Sequence, residues 1–192
     1  EIALSLVGSE MCIRDSVEAE PNYTYATSRI LLDGLRTEAL SFLEIAPNAT
    51  HAEMEKLYPK TLKTYIKKAI ELELINPELG KMDLEKLGES LNPNRDLMFS
   101  YLGLQTLYDR YFIHKDEVRF ELPQIFFMRV AMGLAIGEES REDRAIEFYN
   151  LLSSFDYMSS TPTLFNSGTI HSQLSSCYLT TVPDDLKGIY DA

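Results

Sequence analysis

The chain has 192 residues, of which 45% are hydrophobic and 25% are charged, so it can bury one globular core. A formal net charge of −12 argues against a nucleic-acid-binding surface, which needs clustered lysine and arginine side chains. No apolar run reaches the roughly 18 residues of a membrane-spanning helix, so we expect neither nucleic acid nor membrane among the partners.

The cysteines and histidines give no pattern of metal ligands. Cys12 and Cys177 lie far apart in the sequence and form no CxxC motif, and the chain has only 3 histidines. We therefore expect no metal site. A reduced, cytoplasmic setting is the default for such sparse cysteines.

Residues 1–16 join poorly to the sequence that follows them. Their part LVGSEMCIRDS resembles a translated sequencing adapter, which predicts a non-native leader and a native sequence that begins near Val17. Cys12 would then not be biological. A natural disordered leader is the alternative. The acidic residues Glu1 and Glu10, in place of a basic segment, argue against an export signal.

Apolar residues recur at three- and four-residue spacing along most of the chain, which predicts helices. Pro59 is expected at the first position of its helix, where its missing N–H costs nothing. Arg95 and Asp96 are expected to hold the start of another helix as an ion pair and by capping. The predicted helical segments are 23–43, 52–58, 59–75, 82–91, 94–108, 124–136 and 140–152.

Residues 110–122 change to a two-residue period. Apolar side chains alternate on either side of the polar run at 114–117, which predicts a β-hairpin with His114 exposed at its tip. The helix that follows, at 124–136, is apolar on nearly every face, so we expect it to be buried on most sides. Ser140, with Asp143 three residues later, resembles a capping box.

Near the end of the chain, a polar loop, STPTLFNSGT at 160–169, runs into a strand-like segment, QLSSCYL at 173–179. The hydroxyls and N–H groups of the loop offer a cradle for phosphate or sugar oxygens. Judged by residue type alone, a cysteine such as Cys177 is more often an inert buried side chain. The polar neighbours of Cys177 instead favour a reactive thiol. A disulfide would require a second cysteine from elsewhere.

These two motifs, followed by DDLKGIYDA at 184–192, resemble the large (α, catalytic) subunit of class I ribonucleoside-diphosphate reductase. The resemblance starts at Val17 and implies an N-terminal fragment with the end of an ATP-cone at 17–45. It also implies a helical N-terminal domain at 46–155 and the start of the catalytic barrel at 156–192. The expected fold is therefore mostly α, with a β-hairpin and the first strand of the ten-stranded α/β barrel.

The resemblance implies radical reduction of ribonucleoside diphosphates to deoxyribonucleoside diphosphates for DNA synthesis. Cys177 aligns with one member of the redox-active cysteine pair that reduces the ribose 2′-carbon. Thr161 and Ser176 align with substrate-contacting positions, Thr161 near the diphosphate. The family carries its thiyl-radical cysteine and the partner of the redox pair beyond Ala192, so we expect the fragment itself to be inactive.

The resemblance also implies an allosteric site. Asp184, Asp185 and Leu186 align with the start of the specificity site, which binds deoxynucleotide effectors at the interface of the large-subunit homodimer. Of the two aspartates, we favour Asp184 for the key role. The family uses ATP or dATP as a further effector, but Arg36 and Thr37 stand where relatives often carry a lysine, so we expect this fragment to bind no cofactor.

The implied partners are a small subunit whose di-metal centre generates the radical, and thioredoxin or glutaredoxin, which regenerates the thiols. Two alternatives remain open. One is the cobalamin-dependent (class II) ribonucleotide reductase, which shares the cysteine strand. The other is a helical interaction module in which Cys177 is buried and structural.

Overall fold

A computed structural model describes residues 20–182 and 184–191, which are mostly helical. None of the described helices is both long enough and apolar enough to cross a membrane. In chain order, the elements are α1 (Tyr23–Phe42), α2 (Met54–Glu71), α3 (Leu84–Glu89), α4 (Tyr101–Arg110), β1 (His114–Lys115), β2 (Val118–Arg119), α5 (Pro123–Ala135), α6 (Arg141–Ser153), α7 (Thr161–Asn166) and α8 (Leu186–Asp191). Three 3₁₀ turns also occur there, at His51–Glu53, Pro77–Lys81 and Pro93–Met98.

Helix α5 lies at the centre of the fold. It packs against α6 and α7, while α1 packs against α4 and α2 packs against α3. The side chains of Ile125, Phe126, Phe127 and Met128 are all fully buried, as the apolar sequence of this helix predicts. The single core joins the helices from both halves of the chain, and α5 carries the residues that position the candidate site.

Helix α2 begins earlier than predicted and passes through Pro59. Thr50 and Glu53 form a capping box, in which the Thr50 N–H donates to the Glu53 carboxylate at 2.8 Å. The helix that follows this capped turn continues through residues 58 and 59, where two separate helices were predicted. The prediction that Pro59 takes the first position of a helix was therefore wrong. Pro59 forfeits one helical hydrogen bond. Gly88 of α3 packs there, and a Cβ on it would lie 2.8 Å from the Pro59 Cα.

Asp96 does not pair with Arg95. Asp96 is only 3% exposed and accepts hydrogen bonds from the Tyr58 hydroxyl at 2.6 Å and from the Gln124 amide at 2.7 Å. Arg95 instead donates to the Asn150 side chain at 2.9 Å. The predicted ion pair was therefore wrong, because burial of the carboxylate among neutral donors from α2 and α5 outweighs a local contact. The helix expected from residue 94 begins at Tyr101, after a 3₁₀ turn.

The hairpin is confirmed. His114 pairs with Arg119 and Lys115 pairs with Val118 in antiparallel register. The two residues between the strands, Asp116 and Glu117, have φ values of 49° and 66°, as a type I′ turn requires. His114 is exposed, as predicted, although it lies in β1 rather than at the tip.

Helices α5 and α6 confirm the last two predicted helices. Ala145, Tyr149 and Leu152 of α6 are buried, as their spacing predicts. Ser140 takes the N-cap position of α6, but its side chain makes no capping hydrogen bond. The position of this helix start was thus predictable, and the capping box was not formed.

Candidate functional site

The segment predicted as a polar loop is in part a helix. Thr161–Asn166 forms α7, with Ser160 at its N-cap position and Pro162 in its first turn. A serine followed by proline at this spacing is a helix start, because proline has no N–H that would be left unpaired there. The prediction of a loop was therefore wrong for these six residues. The loop after them turns at Gly168.

Arg129 holds the C-terminal end of α7. This side chain of α5 is fully buried, and its Nη1 donates to the carbonyl oxygens of Ser167 at 2.6 Å and Phe165 at 3.4 Å. Its Nη2 lies 3.5 Å from the carbonyl oxygen of Leu164. The last carbonyls of a helix lack partners within the helix, so the guanidinium satisfies them and complements the negative end of the helix dipole.

Glu121 neutralises Arg129 inside the core. Its Oε1 lies 2.7 Å from the Arg129 Nε, and both side chains are fully buried. The Tyr65 hydroxyl donates to Oε1 at 2.6 Å and the Ile113 N–H donates to Oε2 at 3.0 Å. Burial, and then the charge of Glu121, raises the pKa of Tyr65 well above its ordinary value, so this hydroxyl stays a donor. Burial alone would lower the pKa of Arg129, but the carboxylate raises it.

Two glycines let the backbone after α7 touch α5. A Cβ on Gly133 would overlap the backbone nitrogen of Gly168. Gly168 has a φ of 76°, which is in the left-handed region that favours glycine. Next to it, the Ser167 hydroxyl donates to the Val130 carbonyl at 2.7 Å. The end of α7 is therefore fixed to α5 by side chains and by direct backbone contact.

Thr161, the first residue of α7, is exposed and faces Tyr111. The two hydroxyl oxygens lie 3.1 Å apart. The Tyr111 ring packs against the Phe165 ring, with 5.2 Å between centroids, and against the Phe126 ring at 6.3 Å. Tyr111 follows the last residue of α4, so α4 and α5 together set the position of α7.

Two side chains of α7 hold the segment that leads to Cys177. The Asn166 amide donates to the carbonyl of Gln173 at 2.6 Å, and the Thr163 hydroxyl donates to the carbonyl of Leu174 at 3.4 Å. These bonds connect α7 directly to the backbone just before Ser175. The helix that carries Thr161 and the segment that carries Cys177 are therefore structurally joined.

Cys177 is exposed, and the Ser176 hydroxyl lies 3.7 Å from its sulfur. Residues 171–182 contain no strand in the part of the chain that the structure describes, so the predicted barrel strand is not shown. A strand forms by backbone pairing with a neighbouring strand, and within the described residues no such backbone pairing involves residues 171–182. The exposure of Cys177 also differs from the buried cysteine that the interaction-module alternative requires.

The acidic pair lies at the start of α8. The Asp185 carboxylate accepts a hydrogen bond from the Gly188 N–H at 2.8 Å, and its carbonyl accepts one from the Ile189 N–H at 3.0 Å. Asp184 and Leu186 are exposed. Asp185 thus has a local role in starting the helix, whereas the Asp184 carboxylate is presented to solvent.

A cavity of about 740 Å³ borders the site and shares Tyr111, Phe165 and Asn166 with it. Its lining also includes Ile170 and His171. This volume is within the range of small-molecule sites. Within residues 20–182 and 184–191, no group of three or more His, Cys, Asp or Glu side chains is placed to hold a metal ion.

The sequence is similar to known proteins along almost its whole length. Residues 97–172 match the family model described as ribonucleotide reductase, all-alpha domain. The ribonucleoside-diphosphate reductase subunit alpha of Chlamydia muridarum (strain MoPn / Nigg) is 48% identical over 191 residues, which are 99% of this chain. The chain matches the N-terminal part of ribonucleoside-diphosphate reductase large subunits.

More distant reductases extend this similarity. The subunit alpha of Helicobacter pylori (strain ATCC 700392 / 26695) is 39% identical over 175 residues, or 90% of this chain. The large subunit of Variola virus is 34% identical over 168 residues, or 80% of this chain. The chain spans 17% of the length of the Chlamydia muridarum relative, 20% of the Helicobacter relative and 21% of the viral one.

The family match confirms the resemblance and agrees with the fold. The expected mostly α architecture with a hairpin is observed, and the matching family model describes an all-alpha domain. The names of these relatives support a ribonucleoside-diphosphate reductase and do not favour the cobalamin-dependent alternative.

The roles of the individual site residues remain predictions. The structure joins Thr161 to the segment of Ser176 and Cys177 through the hydrogen bonds of α7. Within the described residues, no hydrogen bond or ion pair connects Asp184 or Asp185 to that helix. The candidate substrate and effector residues are therefore two separate groups in this structure. Cys12 lies outside the described residues.

Sequence reasoning missed the residues that hold the site in place, Tyr111, Glu121 and Arg129. One signal was present, because an arginine within an otherwise apolar helix must be paired if it is buried. Glu121, immediately ahead of that helix, was the nearest acidic candidate. Tyr111 carried no such signal, since it fits the alternating pattern of the hairpin as an ordinary apolar residue.

Proposed function

We propose that the full-length protein containing this chain reduces ribonucleoside diphosphates to deoxyribonucleoside diphosphates by radical chemistry, in support of DNA synthesis. The observation that carries the proposal is 48% identity over 99% of this chain to a subunit that bears this name. The joined arrangement of Thr161, Ser176 and Cys177 supports it, because hydroxyls and a thiol on connected segments can contact different parts of one nucleotide.

The proposed role of Cys177 is that of one thiol of a redox pair. In the overall reaction two thiols become a disulfide, the ribose 2′-hydroxyl leaves as water, and the 2′-carbon gains hydrogen. An exposed thiol is a requirement for such chemistry, and Cys177 meets it. Because the reaction consumes two thiols, this 192-residue polypeptide with Cys177 alone at the site is expected to be inactive.

The substrate is proposed to bind along α7 and the segment that follows it. Thr161 would contact the diphosphate, and Ser176 would contact the nucleotide beside the thiol. A phosphate oxygen accepts hydrogen bonds, and the exposed hydroxyl of Thr161 can donate one. The contacts of Arg129 and Asn166 support this placement, because they fix the C-terminal end of α7 and connect α7 to the backbone at Gln173, between Thr161 and Cys177.

A separate regulatory site is proposed at Asp184, Asp185 and Leu186, where a deoxynucleotide effector would bind at the interface of a large-subunit homodimer. The exposure of the Asp184 carboxylate and the Leu186 side chain is compatible with a partner there. The full-length protein would also respond to ATP or dATP. These nucleotides would be the regulatory ligands of the large subunit.

The proposed partners are a small subunit that supplies the radical from its di-metal centre, and thioredoxin or glutaredoxin as the reductant. The proposed location is the cytoplasm, where thiols are kept reduced.

The domain boundaries are proposals too, with the ATP-cone ending in 17–45, the helical domain at 46–155 and the barrel starting in 156–192. Residues 1–16, proposed as a non-native leader, lie outside the described residues.

The test is turnover by the full-length subunit that carries this sequence, mixed with its small subunit, thioredoxin and cytidine diphosphate. Deoxycytidine diphosphate should form, and Cys177→Ser should abolish it while the melting temperature stays unchanged. Cys12→Ser is the matched control and should retain full turnover. A Cys177→Ser variant with unchanged turnover would remove this cysteine from the reaction.

A further inference from the structure

Tyr111 touches α7 at two points that lie on one face of the helix. Its hydroxyl oxygen is 3.1 Å from that of Thr161, and its ring centroid is 5.2 Å from that of Phe165. Residues four apart on a helix are neighbours on its surface. One side chain therefore packs on the helix and, from the same direction, reaches the hydroxyl of its first residue.

The backbone of Tyr111 is itself fixed. Its N–H donates to the carbonyl of Leu107 at 2.9 Å, which closes the last turn of α4. The ring packs on Phe126 of α5 as well as on α7. The Tyr111 hydroxyl is thus held by a rigid scaffold at hydrogen-bonding distance from an exposed threonine.

We propose that Tyr111 is a positioning residue that orients the Thr161 hydroxyl toward the diphosphate of the substrate. This inference rests on the proposed function, in which Thr161 contacts that diphosphate. Tyr111 does not itself touch the substrate in this proposal, and it acts through the hydrogen bond to Thr161.

Either hydroxyl of this pair can be the donor, and the proposal assigns that role to Tyr111. A hydroxyl has one hydrogen to donate and can accept from others, whereas an ionised diphosphate oxygen only accepts. When Tyr111 donates to the Thr161 oxygen, the hydrogen of Thr161 is free to point at the diphosphate. Chained hydrogen bonds of this kind polarise and strengthen one another. Without the tyrosine donor, the threonine hydroxyl can rotate among its partners.

The experiment compares five variants of the full-length subunit, four single and one double, in the presence of its small subunit and thioredoxin, with cytidine diphosphate as substrate. Tyr111→Phe keeps the ring and removes only the hydroxyl. It should raise KM about threefold to tenfold with little change in kcat or melting temperature, as expected for loss of one hydrogen bond. Thr161→Ala should raise KM at least as much, and Thr161→Ser, which keeps the hydroxyl, should restore most of the affinity.

Tyr108→Phe is the matched control. Tyr108 lies one turn earlier on α4, and its hydroxyl donates to Glu38 at 2.9 Å, away from α7, so its KM should stay at the wild-type value. When Tyr111→Phe is added to Thr161→Ala, KM should not rise further, because the two side chains act through one contact.

The outcomes separate this inference from the proposed function. If Thr161→Ala raises KM and Tyr111→Phe does not, the positioning role is overturned while the substrate contact stands. If Thr161→Ala leaves KM unchanged, the proposed substrate contact fails and the positioning role fails with it. A further rise in KM in the double variant also contradicts the inference, since Tyr111 would then act by a route other than Thr161.

Discussion

The Arg129 guanidinium and the Glu121 carboxylate form an ion pair of 2.7 Å with both side chains fully buried. The pair links the hairpin segment to α5, and the same guanidinium binds the carbonyls at the end of α7. A buried charge is tolerated when its partner and its remaining hydrogen-bonding positions are satisfied, and both conditions hold here. The pair therefore connects the core directly to the candidate substrate helix.

Replacing Arg129 by methionine should destabilise the protein strongly. The variant leaves the Glu121 carboxylate buried without a counter-charge, which typically costs about 3 to 5 kcal/mol. It also removes donors from the end of α7. Urea unfolding followed by circular dichroism measures the change. Adding Glu121→Leu to Arg129→Met should recover part of the lost stability, since the uncompensated charge is gone.

Arg144 provides the matched control for this prediction. It forms an ion pair with Glu147 on the surface, with 42% and 56% of the two side chains exposed. Exposed pairs are worth at most about 1 kcal/mol, so Arg144→Met should change the free energy of unfolding very little. Equal losses from Arg129→Met and Arg144→Met would contradict the importance assigned to the buried pair.

The buried carboxyl of Asp96 should make the stability depend on pH. Burial raises the pKa of Asp96 to about 6, although the hydrogen bonds from Tyr58 and Gln124 oppose this rise. An unfolded aspartate has a pKa of about 4. Between these values the folded protein holds a proton that the unfolded chain has released. Stability should therefore fall by about 3 kcal/mol as the pH rises from about 4 to about 6.

Asp96→Asn should remove that fall, as measured by urea unfolding at several pH values. His51 contributes with the opposite sign, because burial and then the charge of Arg36 lower its pKa, so its contribution to stability increases as the pH rises. His51→Gln should consequently make the fall steeper. A slope that persists unchanged in Asp96→Asn would assign the pH dependence to another group.

The contact between Gly133 and Gly168 should tolerate no side chain. A Cβ at position 133 would overlap the backbone of Gly168. A flexible side chain could move out of the way, but the backbone cannot. Gly133→Ala should therefore cost about 1 to 3 kcal/mol or more, in spite of the better helix propensity of alanine. Gly34→Ala in α1 is the control, because a Cβ there meets nothing within 4 Å. That variant should be stabilised by about 0.5 to 1 kcal/mol. Thermal unfolding of both variants tests the contrast.

The regular elements were predictable because their patterns are local. The three- and four-residue period gave α1, α5 and α6, and the two-residue period gave the hairpin. The Thr50 and Glu53 capping box was also readable, but the proline at 59 suggested a later helix start. The helix at Thr161 was hidden for a similar reason, since its polar residues and Gly168 favoured a loop over the start signal of Ser160 and Pro162.

The buried polar contacts could not be predicted from local patterns. Asp96 bonds to Tyr58, which is 38 residues away, and Tyr65 bonds to Glu121, which is 56 residues away. Such partners are chosen by how helices pack, which periodicity does not specify. The residues of the candidate site were identified by family resemblance, whereas their support by Arg129 became visible only in the folded chain.

The exposure of Cys177 predicts that its thiol reacts in the folded protein. In a Cys12→Ser background of the 192-residue chain, Cys177 is the one remaining cysteine, so the release of thionitrobenzoate from Ellman's reagent reports on it alone. An accessible thiol reacts without unfolding, while a buried one waits for the chain to open. We expect native and urea-unfolded protein to react at rates within about tenfold of each other. The Cys177→Ser variant of the same background should give no signal. A native rate that is lower by several orders of magnitude, and that tracks the unfolding rate, would restore the alternative of a buried structural cysteine.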